Sequence, residues 1–407
     1  MEDVFPGGSN RILCMFAERT NWRLAQNRLT EAVEAARAGK AKLLDLTISN
    51  PTRVGLQYDA TAILAALHSP QALDYDPQAK GLLAARQAVA AYYADAIGSR
   101  QRANAVSTER IALTTGTSEG YSYVFRLLCN AGDELLVPKP SYPLFEFLAD
   151  LHDVKLVPYP LIYDHGWQMD FPSLEKAVTE RTRGVVVVHP NNPTGSYVRE
   201  DEFAPLNAFC RAHGLALIVD EVFLDYGLDE QAHESFAGNQ DVLTFTLSGL
   251  SKISALPQMK VAWVVTSGPE AEVAEAIARL EVIADTYLSM NAPIQWAVPA
   301  LLEQRKNIQR QLLERVRGNL AELDRQLAGQ KACQRLQVDG GWNAVLRVPV
   351  TRSDEELAIA LVREQSVLTH PGHFYDFPSD GYLVLSLITP EAEFGEGIGK
   401  ALEYLAS

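Results

Sequence analysis

Residues 185–195 read Val-Val-Val-Val-His-Pro-Asn-Asn-Pro-Thr-Gly, an apolar run that is followed at once by a stiff polar turn. Four consecutive valines show no alternation with polar residues, so both faces of the strand that they predict must be buried. Residues 215–219, Leu-Ala-Leu-Ile-Val, repeat the pattern. Strands buried on both faces are typical of a mostly parallel sheet covered by helices, and the two runs therefore predict an α/β fold.

The pattern continues on both sides of these runs, from about residue 111 to residue 266. Amphipathic stretches separate the strand candidates, and two of them carry helix-boundary residues, Ser118 as an N-cap and Gly214 as a C-cap. We expect a mostly parallel, seven-stranded sheet, which would bind a ligand at the carboxyl ends of its strands. The seven candidates are Ile111–Thr115, Glu134–Val137, Lys155–Pro158, Gly184–His189, Leu215–Asp220, Val242–Leu247 and Val261–Thr266.

The C-terminal third has a different pattern. A long helical stretch is predicted from Ile294 to about Gln330, with a possible break near Gly318. Strands at Val345–Val348 and Tyr382–Leu387 then lie near acidic helices, which predicts a smaller α+β domain. We expect three segments: an N-terminal arm with part of the small domain (1–52), a large domain (53–295), and a linking helix with the small C-terminal domain (296–407).

Composition narrows the classes of function. The chain of 407 residues carries a formal net charge of -15, which disfavours nucleic acid and anionic membrane as partners. Its four cysteines are widely spaced and form no CxxC or zinc pattern, so we expect reduced thiols in a cytoplasmic protein without a metal site. The first residues lack the basic and apolar regions of a signal peptide, and no apolar run approaches the ~20 residues of a membrane span.

Lys252 is the first candidate for catalysis. It ends the run Ser-Gly-Leu-Ser-Lys of residues 248–252, directly after a predicted buried strand. An amine in such a turn can be desolvated, lose its proton and attack a carbonyl. An enzyme that holds pyridoxal phosphate (PLP) as a Schiff base needs an amine of this kind, although a surface lysine at a strand end has the same pattern.

Two further candidates are suited to a phosphate and to a phenolate. The run Gly116-Thr117-Ser118 opens a predicted helix, where backbone N–H groups and hydroxyls can bind phosphate. Asn192 is bracketed by two prolines, and its amide can donate to the phenolate oxygen O3′ of PLP. Taken alone, the first run is also an ordinary helix cap and the second an ordinary turn.

Asp220 and Tyr142 complete the set of strand-end candidates. A carboxylate that ends a buried strand is costly unless it is paired, and Asp220 could keep the pyridine nitrogen of PLP protonated. Tyr142 could stack on the ring. A salt bridge and core packing would explain these two residues equally well on structural grounds, but one cofactor explains the order and spacing of all the candidates.

With these residues in place, the chain resembles the PLP-dependent transferases of fold type I, namely the class I and II aminotransferases, from about Leu44 to its C-terminus. The resemblance implies a homodimer with shared active sites, in which Tyr75 reaches the partner's PLP phosphate, and it adds Ser251 and Lys260 to the cofactor-binding residues. The runs that carry it are Tyr75 with Gly81, Gly116-Thr117-Ser118, Ser141-Tyr142-Pro143, Asn191-Asn192-Pro193-Thr194-Gly195, Asp220-Glu221 and Ser251-Lys252.

The resemblance also implies an activity. In a ping-pong reaction an amino acid would give its amino group to the enzyme and a 2-oxo acid would accept it, with Lys252 moving the proton at the substrate α-carbon. Two different functions stay open beside it. One is a PLP-dependent β-lyase, acting for example on carbon–sulfur bonds, and the other is a PLP-binding protein with little turnover.

Three residues depart from the family pattern. Phe223 replaces a tyrosine whose phenol bonds O3′, and Lys260 replaces an arginine that grips the phosphate. Val384 replaces an arginine that clamps the substrate α-carboxylate, and an apolar side chain cannot make that bidentate contact.

The Val384 replacement has three possible explanations: another cation binds the carboxylate, the substrate lacks one, or the local alignment differs. We favour another cation from the N-terminal segment, and Arg53 before Arg19 and Arg23, because Arg53 follows a run that the family places beside the substrate. Asn50 of that run and Trp342, as a pocket wall that sets side-chain selectivity, complete the substrate-binding candidates. Trp342 is also compatible with plain core packing.

Overall fold

The computed structural model describes residues 15–22, 25–39, 42–97, 106–229 and 233–406. These ranges contain fourteen strands and thirteen α-helices. The strands are β1 Leu44–Asp45, β2 Ile111–Thr114, β3 Glu134–Lys139, β4 Lys155–Tyr163, β5 Trp167–Met169, β6 Thr182–Val188, β7 Ala216–Asp220, β8 Thr244–Gly249, β9 Ala262–Ser267, β10 Gln334–Arg335, β11 Asn343–Arg347, β12 Val367–Leu368, β13 His370–Pro371 and β14 Tyr382–Ser386. The helices are α1 Arg28–Ala38, α2 Ala60–Ala66, α3 Leu83–Ile97, α4 Thr117–Leu128, α5 Leu144–Leu151, α6 Phe171–Ala177, α7 Glu200–His213, α8 Leu250–Ile253, α9 Glu270–Tyr287, α10 Ala292–Glu303, α11 Arg305–Leu327, α12 Asp354–Ala360 and α13 Glu391–Ala406.

The main sheet has the strand order β2-β9-β8-β7-β6-β3-β4-β5. The five strands from β8 to β4 pair in parallel, β9 runs antiparallel to both of its neighbours, and β5 adds an antiparallel edge to β4. All seven predicted strands are present, and the α/β fold with a mostly parallel sheet is confirmed. The short strand β5 is an eighth, which was not among the predicted strands.

The four valines of β6 are buried on both faces, as their lack of alternation predicts. Val185 and Val187 pack in one apolar cluster with Leu206 of α7. Val186 and Val188 pack in another cluster with Phe125 of α4. Each face of the strand is therefore covered by a helix, and the sheet forms the middle layer of three.

The C-terminal part forms a second, four-stranded antiparallel sheet of order β10-β11-β14-β13. The predicted helix from Ile294 is broken, but at Gln304 rather than near Gly318, which lies inside α11. Arg305 fixes the break, because its buried guanidinium donates to the carbonyl of Leu302 and pairs with Asp95 at 2.8 Å. One of the predicted acidic helices, over residues 354–365, comprises α12 and a π-helical turn.

The N-terminal segment joins this C-terminal unit. Strand β1 pairs in parallel with β12, with Leu44 opposite Val367, and Leu29 and Val33 of α1 pack against Ile359 of α12. This contact supports the sequence-based division of the chain, whose boundaries after residues 52 and 295 stay a prediction. Within the described ranges no helix combines the length and apolarity that crossing a bilayer requires.

The loop after β6 is pinned to the segment before β11. The carbonyl of Gly195 accepts from the backbone N–H groups of Asp339 and Gly340, at 3.2 and 2.9 Å. Gly195 has a φ of +71°, and a Cβ added to it would lie 2.3 Å from Val338 Cγ2 and 2.5 Å from the Gly340 carbonyl oxygen. Glycine is therefore required at residue 195 by both conformation and space.

We predict that Gly195→Ala lowers the free energy of unfolding more than Gly214→Ala does. Gly214 ends α7 with a φ of +63° and has nothing within 4 Å of an added Cβ, so its substitution costs only the left-handed strain of about 1–2 kcal/mol. Overpacking against Val338 should add about 1–3 kcal/mol at Gly195. Urea unfolding of both variants measures the difference, and equal destabilisation would contradict it.

Candidate active site

A cavity of about 470 Å³ lies where the parallel strands end. Val188 of β6, Asp220 of β7 and Leu247 of β8 are level across neighbouring strands, so the three following segments leave the sheet at the same edge. Val188, Asp220 and Lys252 all line the cavity. The carboxyl ends of the strands thus form the ligand site that the fold class predicts.

Lys252 lies in the short helix α8, which begins directly after the end of β8. Its Nζ atom lies 5.1 Å from the ring centroid of Trp342 and 5.6 Å from that of Phe223. Burial lowers the pKa of the Lys252 ammonium, and the nearby Asp220 carboxylate opposes that shift. The lysine is therefore desolvated beside two aromatic rings, and a desolvated amine is suited to act as a nucleophile.

Asp220 is the buried acid of the site. Burial raises its pKa to about 6. Three groups oppose this rise: the Val222 N–H and the Tyr121 hydroxyl, which donate to its two oxygens, and the Lys252 ammonium. Val222 N and Tyr121 Oη both lie 3.0 Å from their acceptor oxygens. A buried carboxylate with these neutral donors is suited to a cationic ring nitrogen as its remaining partner.

The N-terminus of α4 also reaches the cavity. Helix α4 begins at Thr117, so Gly116 is its N-cap and the predicted Ser118 cap is wrong. The side chains of Thr117 and Ser118 line the cavity from the first turn. A Cβ on Gly116 would lie 3.3 Å from Lys260 Nζ, so the lysine approaches the glycine closely. A helix N-terminus with two hydroxyls and an ammonium fits a phosphate.

The remaining cofactor candidates are brought together in part. Tyr142, Asn192 and Ser251 line the cavity. Asn192 accepts a hydrogen bond through Oδ1 from Asn343 Nδ2 at 2.8 Å. Tyr75 does not line this cavity; it is 79% exposed and lines a separate one of about 230 Å³.

Of the three substrate-binding candidates, one lines the cavity and two do not. Trp342 is buried against the cavity, whereas Asn50 and Arg53 do not line it. The Asn50 side chain instead accepts from Thr52 N at 3.0 Å and begins the short helix that Arg53 ends. Ser49 is the last residue of that segment to line the cavity.

Of the other two N-terminal candidates, only Arg19 belongs to the described residues, and it does not line the cavity. Arg19 pairs with Asp153 at 2.7 Å, away from the cavity lining, and Arg23 lies outside the described residues. Val384 is 1% exposed and packs in an apolar cluster with Trp167 and Phe377. Its environment is thus that of a core residue.

Several residues of the cavity wall were not among the predicted site residues. Tyr121 follows Ser118 by three residues, so helical spacing could have placed both on one face of α4. The others depend on tertiary packing. His370 faces Val384 across the β13–β14 ladder, and its Nδ1 lies 3.0 Å from the Tyr375 hydroxyl. The run 370–376 resembles the Pro-Gly turn with which the family walls the substrate pocket, and its His370 and Tyr375 line the cavity. The missed residues include Tyr121, Phe145 and Ser386.

Comparisons with known proteins agree with this geometry. The family model "Aminotransferase class I and II" matches residues 21–392. Glutamate-pyruvate aminotransferase AlaA of Escherichia coli (strain K12) is 33% identical over 263 residues, which is 64% of this chain and 64% of that relative, so the match spans less than two thirds of the relative's length.

Two further proteins bear on function and fold. S-alkyl-thiohydroximate lyase SUR1 of Arabidopsis thaliana is 28% identical over 246 residues, 60% of this chain and 52% of the relative. The crystal structure of an aminotransferase from Escherichia coli superimposes with a TM-score of 0.83 at 24% identity and covers 94% of this chain and 95% of that chain. At this identity the likeness shows the fold.

Removing the Tyr121 hydroxyl should change the pH dependence of PLP binding. A protonated ring nitrogen of the predicted cofactor would pair with ionised Asp220, so the affinity for PLP should rise with pH through about 6 and level off above it. Tyr121 holds the pKa of Asp220 down, and Tyr121→Phe should therefore move this rise upward by about 0.5–1 unit. Equilibrium dialysis of PLP between pH 5 and 8 measures it.

Tyr159→Phe is the matched control. Tyr159 is also a buried tyrosine, but its hydroxyl donates to the Val186 carbonyl at 2.9 Å rather than to a group of the cavity. We expect its pH profile to equal that of the wild type. The same profile for Tyr121→Phe and wild type would show that the hydroxyl does not govern Asp220.

Proposed function

The chain belongs to the class I and II aminotransferases, and we propose that it moves an amino group between an amino acid and a 2-oxo acid, with PLP as its cofactor. The observation that carries the proposal is a desolvated lysine, Lys252, in one cavity with a buried carboxylate, Asp220. A nucleophilic amine and a partner for a ring nitrogen are the two groups that PLP chemistry needs from a protein.

The residues of the cavity divide the binding of PLP among them. Gly116, Thr117 and Ser118 would hold the phosphate at the start of α4 together with Lys260. We assign Ser251 to the same set of cofactor-binding residues. Asp220 would bind the ring nitrogen. When bound, PLP supplies an aldehyde that condenses with amines and a protonated ring that withdraws electrons from them.

The other side chains act on the substrate and on the ring. Asn192 would donate to the phenolate oxygen, and Tyr142 would stack on the ring from the cavity wall. Lys252, whose pKa is lowered by burial, would take the proton from the substrate α-carbon and return it. Trp342 and Phe223 flank the amine and would exclude water from that transfer.

The substrate class is supported by a relative. The AlaA protein is named for glutamate and pyruvate, an amino acid and a 2-oxo acid. Within that class, Asn50 and Arg53 as carboxylate-binding residues stay a prediction, because their segment reaches the cavity at Ser49 but their own side chains are exposed.

A homodimer with shared sites is part of the proposal. Leu73 and Tyr75 are 91% and 79% exposed, and Val282 and Leu288 are exposed as well. These exposed side chains are the part of the surface that the proposal assigns to the contact with a second copy. A second copy of the chain covering them would bring Tyr75 towards the partner's PLP phosphate.

The state of the cysteines supports the proposal that the protein is cytoplasmic. Cys129, Cys210 and Cys333 are all unpaired in the described part of the chain. Burial raises the pKa of each thiol, which makes them poor nucleophiles for disulfide exchange. Free, inert thiols are typical of a reducing compartment.

A carbon–sulfur β-lyase is the second candidate, and the match to the lyase SUR1 favours it over a PLP-binding protein with little turnover. The same lysine and the same cavity could serve either reaction. A panel of amino acids separates transamination from elimination. When no 2-oxo acid is added, transamination accumulates pyridoxamine phosphate. Under the same condition a β-lyase releases pyruvate and ammonia from an S-substituted cysteine.

Replacing the lysine tests the enzyme proposal directly. Lys252→Ala should lose the amine that moves the proton, and turnover should fall by at least about 100-fold. Lys155→Ala, at an exposed position at the start of β4, is the control and should keep wild-type turnover. A wild-type rate no higher than that of Lys252→Ala would instead indicate a PLP-binding protein with little turnover.

Tyr75→Phe tests the shared site. Loss of one hydrogen bond to a charged phosphate should weaken PLP binding by about tenfold, while sedimentation should still show a dimer. Tyr287→Phe, another exposed tyrosine, should bind PLP as the wild type does. A monomeric wild-type protein, or unchanged affinity in Tyr75→Phe, would contradict the arrangement.

A further inference from the structure

Asn343 contacts a residue of the site across the domain boundary. It is the first residue of β11, and its Nδ2 donates to Asn192 Oδ1 at 2.8 Å. Both side chains line the cavity. The two residues are 151 positions apart in sequence, so the bond exists only because the small domain is placed against the strand ends of the large one.

The backbone on both sides of this bond is fixed. Asn343 lies opposite Ser386 in the β11–β14 ladder, and the preceding Trp342 carbonyl accepts from Leu387 N at 2.7 Å. The Gly341 N–H donates to the Tyr226 carbonyl at 3.0 Å, and Gly195 anchors the other loop. The amide of Asn343 is therefore presented to Asn192 from a rigid position.

An asparagine amide has one accepting and one donating end. Since Asn343 engages the Oδ1 end of Asn192, the Nδ2 end is left for a ligand in the cavity. Phe223 brings no hydroxyl to the site. The orientation of the Asn192 amide therefore matters more than it would in a family member whose tyrosine at this position also donates to the phenolate oxygen. A reversed amide would turn an acceptor towards the phenolate oxygen of PLP.

We propose that Asn343 is a positioning residue that fixes the amide of Asn192, so that its NH₂ group donates to the phenolate oxygen of bound PLP. The inference rests on the proposed function, because it needs PLP in the cavity. A donor at that oxygen stabilises the phenolate and lowers the proton affinity of the nitrogen that links PLP to Lys252. An acceptor has the opposite effect.

The test is a pH titration of the visible absorbance of PLP bound to the purified protein. Asn343→Asp can only accept, so it should reverse the Asn192 amide and raise the apparent pKa of the absorbance change by about one unit. Asn343→Ala leaves the amide free to rotate and should give a smaller rise. Circular dichroism and thermal unfolding show whether each variant is folded.

The added charge of an aspartate is controlled in the Asn192→Ala background. There the same charge is present but no amide can reverse, so Asn343→Asp should shift the apparent pKa by less than about 0.3 unit. An equal shift in both backgrounds would overturn the proposal, because the effect would then be that of charge alone.

Two other outcomes separate this proposal from the function on which it rests. A normal visible band in the wild type, with no shift in Asn343→Asp, overturns the positioning role alone, since Asn192 would then donate to residue 343 rather than accept from it. A wild type without any PLP band overturns the proposed function and the positioning role with it.

Discussion

Burial of two opposite charges in one cavity is the constraint on which the rest of the site depends. Asp220 and Lys252 each lose hydration, and each partly restores the charged form of the other. The balance leaves the carboxyl with a pKa of about 6 and the amine with a lowered one. Neither pKa would be shifted in this way on the surface. The helices that cover both faces of the sheet therefore create the environment that makes the pair chemically useful.

The strand register explains how the sheet delivers both groups. Asp220 and Leu247 are partners across β7 and β8, and β8 continues for two more residues before α8 begins. Lys252 is therefore set beyond the edge at which Asp220 stops, and both residues line the same cavity. Parallel strands make this possible because their carboxyl ends, and hence their following loops, share one edge.

Much of this could be predicted from the sequence, and the failures have physical causes. That Asp220 and Lys252 line one cavity could be predicted, because each lies at or just beyond the end of a strand and unbroken apolar runs identify buried strands without knowledge of tertiary structure. Ser386 was missed because its strand reaches the cavity only through the second sheet. The helix break was misplaced because glycine is a weak signal inside a helix, whereas the buried Arg305 with its partner Asp95, which fixes the break, is a tertiary contact.

Of the three residues that differ from the family pattern, Phe223 lines the cavity, Lys260 approaches the start of α4, and Val384 is buried in an apolar cluster of the C-terminal unit. Val384 is part of an apolar cluster that includes Tyr375, and Phe223 packs edge-to-face on Trp342 at 5.1 Å. Packing at Val384 and Trp342, together with the hydrogen bonds that Gly195 accepts from Asp339 and Gly340, makes the segment around β11 rigid. On a rigid segment, a neutral amide such as that of Asn343 can orient a neighbouring side chain with precision.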